Sequence, residues 1–99
     1  MEDIEEKRQS LRIDMESDKV ELIWLDENGH EQVAMARCID LSRRGVLLMY
    51  SGNFTLGSLL NITFNPDNEG SKHTVKGQVC RSKDIDDAYH IAIQLIGFN

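Results

Sequence analysis

The stretch Lys19-Val20-Glu21-Leu22-Ile23-Trp24-Leu25-Asp26-Glu27-Asn28-Gly29-His30 decides the fold of this chain. It opens in alternation: Val20, Leu22 and Trp24 share one side of an extended backbone whose successive side chains point to opposite faces. It closes on Asn-Gly, a dipeptide that tolerates positive φ and therefore suits a tight hairpin turn. The hairpin needs a second strand, and Gln32–Leu41 reads as that strand. Alternation divides it into two faces, Ala34, Ala36, Cys38 and Asp40 against Val33, Met35, Arg37, Ile39 and Leu41. Which of the two is buried stays open at this level.

The same pattern recurs outward from this hairpin. Gly45–Tyr50 is a short apolar strand, and Ser51–Ser58 a polar loop with two glycines. Leu59–Asn65 reads as strand from its β-branched content. Pro66–Lys72 is a turn rich in Pro, Asp, Asn and Gly. His73–Ser82 alternates through Val75 and Val79, with Gly77 marking a bulge or the close approach of another strand. Asp84–Asp87 is an acidic turn, and Tyr89–Ile96 a last strand that aligns Ile91, Ile93 and Leu95. Six short strands with no helix required predict an all-β protein, a small six-stranded antiparallel β-barrel built as a meander of hairpins. Closure of such a sheet removes its exposed edges. The predicted organisation is a flexible N-terminal segment, residues 1–18, followed by the barrel, residues 19–99.

Composition narrows the function. Ninety-nine residues support one core, and 40% apolar with 28% charged residues suits a soluble globular domain. No apolar run approaches the ~20 residues needed to cross a bilayer, so no membrane insertion is expected. The start, Met-Glu-Asp-Ile-Glu-Glu, lacks a basic and an apolar signal region, which points to the cytoplasm. Cys38 and Cys80 lie far apart in sequence and read as reduced, buried small hydrophobes. His30, His73 and His90 have no metal-ligand spacing and no nucleophile motif is present. Accordingly no catalytic residue, no metal and no enzyme activity are expected. A net charge of −6 argues against a nucleic-acid partner. Yet five of the eleven Lys and Arg residues, Lys7, Arg8, Arg12, Arg43 and Arg44, fall in two short stretches. Local positive charge on an acidic chain suits a small anionic ligand.

The first of these stretches is Glu6-Lys7-Arg8-Gln9-Ser10-Leu11-Arg12, an Arg-x-x-x-Arg pattern. The second is Ile39-Asp40-Leu41-Ser42-Arg43-Arg44-Gly45, an Asp-x-Ser-x-x-Gly pattern set between two strands. Asp40 and Ser42 carry short oxygen-bearing side chains that hold turns by bonding nearby backbone N–H groups. Gly45 permits positive φ or close backbone approach. In this order and ahead of a β-rich chain, the two patterns resemble the PilZ family, small β-barrel domains that bind the bacterial second messenger cyclic di-GMP. A looser third likeness falls on Gly77, Val79 and Arg81.

The resemblance implies a ligand, cyclic di-GMP, and no cofactor. It implies that Arg8 and Arg12 clamp the ligand, that Asp40, Ser42 and Gly45 form its floor on the outer barrel wall, and that Lys7 helps hold a second ligand molecule. The chemistry fits: guanidinium groups fork onto phosphate or guanine acceptors, and a carboxylate accepts from the guanine N1–H and amino group. The expected function is a cyclic di-GMP receptor or adaptor that changes its surface on binding and regulates a downstream protein effector in motility, biofilm or polysaccharide output. The alternative is a PilZ-like adaptor that works by protein contact without binding nucleotide.

Overall fold

A computed structural model describes residues 17–98, with Phe98 described by its backbone alone. Within them lie six strands and no helix: β1 (Lys19–Leu25), β2 (Glu31–Leu41), β3 (Gly45–Tyr50), β4 (Leu59–Phe64), β5 (His73–Ile85) and β6 (Ala88–Phe98). All pairings are antiparallel, and the sheet closes in the order β1-β2-β3-β6-β5-β4.

The closure is not the simple meander expected from the sequence. Two three-stranded units, β1–β3 and β4–β6, meet at two seams, β3 against β6 and β4 against β1. The connection from β3 to β4 crosses one end of the barrel instead of making a hairpin. Phe54 explains why this polar-looking segment lies down. Its side chain is buried, edge-on to Trp24 at 4.8 Å and stacked on Tyr50 at 5.4 Å, so an aromatic cluster plugs that end. Backbone bonds from Gly57 N to Val79 O and from Val79 N to Ser58 O then tie the connection to β5.

Inside the barrel, the alternating positions meet as the sequence pattern requires. Val20 and Leu22 from β1, Leu60 and Ile62 from β4, Val75 and Val79 from β5, and Ile91, Ile93 and Leu95 from β6 form one core with Val46 and Leu48. Phe64 is fully buried in the same core. On β2 the small face is the inner one: Ala36 is buried and Cys38 packs against the core. Val33, Met35 and Ile39 stand outside, 56%, 43% and 46% exposed. Gly77 sits at a register shift, as anticipated, and a Cβ there would overlap Ile93 Cγ2 and lie 3.2 Å from Gln94 O.

Three irregularities shape the outer wall. The β2–β3 register shifts between Cys38 and Asp40, which leaves Ile39 unpaired as a bulge. The β5–β6 register shifts between Val79 and Arg81, leaving Cys80 unpaired, and again between Lys76 and Gly77, where Ile96 is the extra residue on β6. Each bulge reverses the inside–outside alternation beyond it.

Candidate functional site

The bulge at Ile39 decides where Asp40 points. In a regular strand Asp40 would follow Ala34, Ala36 and Cys38 to the inner face, where a carboxylate would lose its hydration. With one residue inserted, Asp40 instead pairs with Leu47 and is exposed on the outer wall, while Leu41 pairs with Val46 and packs on the core. The face assignment made from alternation alone is thus corrected at both residues.

Ser42 builds the turn between β2 and β3. Its N–H donates to Gly45 O at 2.9 Å, and its hydroxyl lies 3.2 Å from the same carbonyl. Its Oγ also accepts from the N–H groups of Gly45 at 3.3 Å and Arg44 at 3.4 Å. The turn is anchored across the seam as well, since Leu95 N donates to Arg44 O at 3.0 Å. Gly45 lets the seam close: a Cβ there would sit 2.7 Å from Ile93 O, a backbone atom that cannot step aside. Hence Ser42 and Gly45 shape the wall, and Asp40 supplies the exposed charge.

Asp40, Ser42 and Gly45 line one open groove of about 410 Å³ running over the β3–β6 seam. Its other lining residues include Arg44, Leu47, Cys80, Ala92 and Gln94. The volume falls within the usual range for small-molecule sites. Leu47 and Ala92 face each other across the seam and make an apolar floor. Cys80, expected from the sequence to be buried, is exposed because its own bulge turns it out, and it borders that floor with Sγ 3.4 Å from Ala92 O. Cys38 lies behind Asp40, its Sγ 3.6 Å from Asp40 O. Burial, reinforced by the negative charge of Asp40, pushes the Cys38 thiol up.

Arg44, Cys80 and Gln94 were not legible as site residues in the sequence. Arg44 is one of two adjacent arginines in variable motif positions, and the structure separates them: Arg44 lines the groove and Arg43 does not. Cys80 and Gln94 join the site through a bulge and a cross-strand pairing, neither of which has a sequence pattern. Of the third likeness, Gly77 and Val79 are buried inside the barrel and Arg81 is exposed on β5 without lining the groove.

Lys7, Arg8 and Arg12 lie outside the described residues. The chain's point of entry is described. Asp18 is held beside β2 by a backbone bond from Cys38 N to Asp18 O at 2.6 Å and by Arg37, whose guanidinium reaches the Asp18 carboxylate at 2.7 Å. Asp18 is therefore fixed next to the bulge that presents Asp40. Among the described residues no group of three or more His, Cys, Asp or Glu side chains is placed to hold a metal ion. Nor is any helix among them long and apolar enough to cross a membrane.

Neither the curated proteins nor the solved structures contain a match to this chain. The family model for the PilZ domain matches residues 6–98. That match takes in all six strands, the Asp-x-Ser-x-x-Gly turn and the Arg-x-x-x-Arg segment before β1, and the chain belongs to the PilZ domain family.

Proposed function

We propose that this chain is a cytoplasmic receptor for cyclic di-GMP that acts on a partner protein by changing the surface it offers, and that it works by binding, without catalysis. PilZ domains are in general receptor domains for this dinucleotide. The single observation that carries the reading to this chain is the groove over the β3–β6 seam, where Asp40, Ser42 and Gly45 meet on the outer wall. Asp40 offers an exposed acceptor for a guanine edge, and the Leu47–Ala92 floor offers an apolar surface on which a base can lie.

The phosphates then fall to Arg8 and Arg12, with Lys7 available for a second ligand molecule. Chain length allows this. Arg12 is six residues from Asp18, a reach of at most ~22 Å from a point beside Cys38, and Arg8 has more. Fixing that segment on the ligand costs conformational entropy, which charge-assisted hydrogen bonds of roughly 1.5–3 kcal/mol each must exceed.

Isothermal titration with cyclic di-GMP, with GTP and GMP as controls, tests the proposal. Saturable and selective binding is expected, weakened about tenfold or more in Arg12→Ala and in Arg8→Ala. Losses under threefold in both variants would remove these arginines from the site. The stoichiometry reports on Lys7, since two ligands per chain in the wild type should fall to one in Lys7→Ala. A second reading, an adaptor that binds protein but no nucleotide, draws on the outward apolar residues Val33, Met35 and Ile39. It takes the lead if no heat and no saturation appear at high micromolar ligand.

A further inference from the structure

The groove has polarity, and Arg44 defines one pole. Reading across the outer wall, one row runs Asp40, Leu47, Ala92, with Cys80 beyond, and the next runs Ser42, Gly45, Gln94. With strands ~4.8 Å apart, the first row spans roughly 14 Å over four strands, wide enough for a purine and its sugar. Asp40 can only accept hydrogen bonds when ionised, Arg44 can only donate, and Gln94 can do both. Leu47 and Ala92 offer no polar side-chain atom.

Guanine has a matching asymmetry. It presents donors, N1–H and the 2-amino group, beside acceptors, O6 and N7. Adenine reverses the pattern, with an acceptor at N1 and an amino donor at C6 next to N7. A donor-only guanidinium fork on that edge therefore favours guanine, with O6 beside N7, and opposes adenine, whose 6-amino donor would face the fork; Asp40 alone could accept from either amino group. Gln94 by itself does not discriminate, because its amide can rotate to suit either base.

On the reading of this groove as the dinucleotide site, we propose that Arg44 is a guanine-selecting residue, its guanidinium forked onto O6 and N7 of a base lying on Leu47 and Ala92. Its main chain is already held in place, N–H to Ser42 Oγ and carbonyl to Leu95 N, so the fork starts from a fixed point. The neighbouring Arg43 carries the same charge on the same turn without lining the groove. Arg43 therefore separates base reading from a general effect of positive charge. The inference extends the role of the turn beyond its Asp-x-Ser-x-x-Gly pattern, in which the position of Arg44 is variable.

The test is titration of the full chain with cyclic di-GMP and with cyclic di-AMP, on the wild type, Arg44→Ala, Arg44→Lys and Arg43→Ala. Arg44 is exposed, and thermal melts verify that the variants are folded. Loss of the fork is expected to lower the preference for the guanine ligand about tenfold or more in both Arg44 variants, since lysine keeps the charge but cannot bind bidentately. Arg43→Ala should leave the preference unchanged. Equal weakening toward both ligands in Arg44→Ala would assign Arg44 to phosphate or to general charge and overturn the inference. A preference kept in both Arg44 variants would overturn it too, while the receptor reading stood. A wild type that binds neither ligand would bring down both.

Discussion

Gly45 carries the most stringent local constraint on the outer wall. A methyl group there would meet Ile93 O at 2.7 Å, and relief requires β3 and β6 to part at the seam that carries the groove. Gly45→Ala is expected to lower stability by about 1–3 kcal/mol, read from the midpoint of urea unfolding. An unchanged midpoint would mean that the seam is more yielding than its geometry indicates. The two thiols differ for a related reason, their position relative to the wall. Cys80 is exposed beside the groove floor, whereas Cys38 is partly buried and its thiol is held up by burial and by Asp40. Iodoacetamide near neutral pH should alkylate Cys80 about tenfold faster than Cys38, because the thiolate is the reactive form and access differs. Bound cyclic di-GMP should slow only the Cys80 reaction. Mass spectrometry of the two peptides reads both effects, and equal rates would contradict the exposures.

Elements show how local chemistry sets strand geometry. In the β1–β2 hairpin, Asp26 Oδ1 accepts from the N–H groups of His30 at 2.9 Å and Asn28 at 2.8 Å, and Oδ2 accepts from Gln32 Nε2 at 3.0 Å. The bond from His30 N–H is the main cause that holds this carboxyl below its ordinary value, against the opposing effect of burial. A carboxyl that titrates lower in the folded than in the unfolded chain stabilises the fold above its unfolded pKa of about 4 and loses that effect as pH falls through its folded value. The gap in Tm between the wild type and Asp26→Ala should therefore be widest near neutral pH and shrink below about pH 4. A gap that is independent of pH would assign the role of Asp26 to something other than its charge. On β2 the controlling feature is the bulge. Without the extra residue at Ile39, the outward carboxylate of the groove would face the core.

At the scale of the whole molecule, closure of the sheet joins the two three-stranded units into one barrel. The last seam joins β1 to β4, and one of its two middle pairs is Leu22 opposite Ile62, both fully buried. The two residues belong to different three-stranded units, so their contact holds the units together. Leu22→Ala and Ile62→Ala should each cost about 2–5 kcal/mol in denaturant unfolding, and the loss should appear in one cooperative transition. Two separate transitions would show that β1–β3 and β4–β6 unfold independently. This seam lies opposite the β3–β6 seam in the strand order, so the groove and the closing contact occupy opposite sides of the barrel.

The sequence by itself determined the number and type of elements, because alternation and turn chemistry act within a few residues. Val20, Leu22 and Trp24 followed by Asn28-Gly29 already read as half a hairpin, and Ile91, Ile93 and Leu95 as an inner face. It also singled out Asp40, Ser42 and Gly45, whose spacing is a local pattern and which the fold brings to one groove. Tertiary structure alone decided the rest. Strand order departs from a meander where the β3–β4 connection crosses the barrel end and buries Phe54 against Trp24 and Tyr50, and such a contact has no local signature. The outward aim of Asp40, and the recruitment of Cys80, depended on single unpaired residues in two strands. A bulge is settled by the register of the partner strand, so no periodicity within one strand can reveal it. Arg44 and Gln94 became neighbours of the same groove for that reason too: Gly45 pairs with Gln94 only after β3 and β6, forty-nine residues apart along the chain at that pair, have closed the wall.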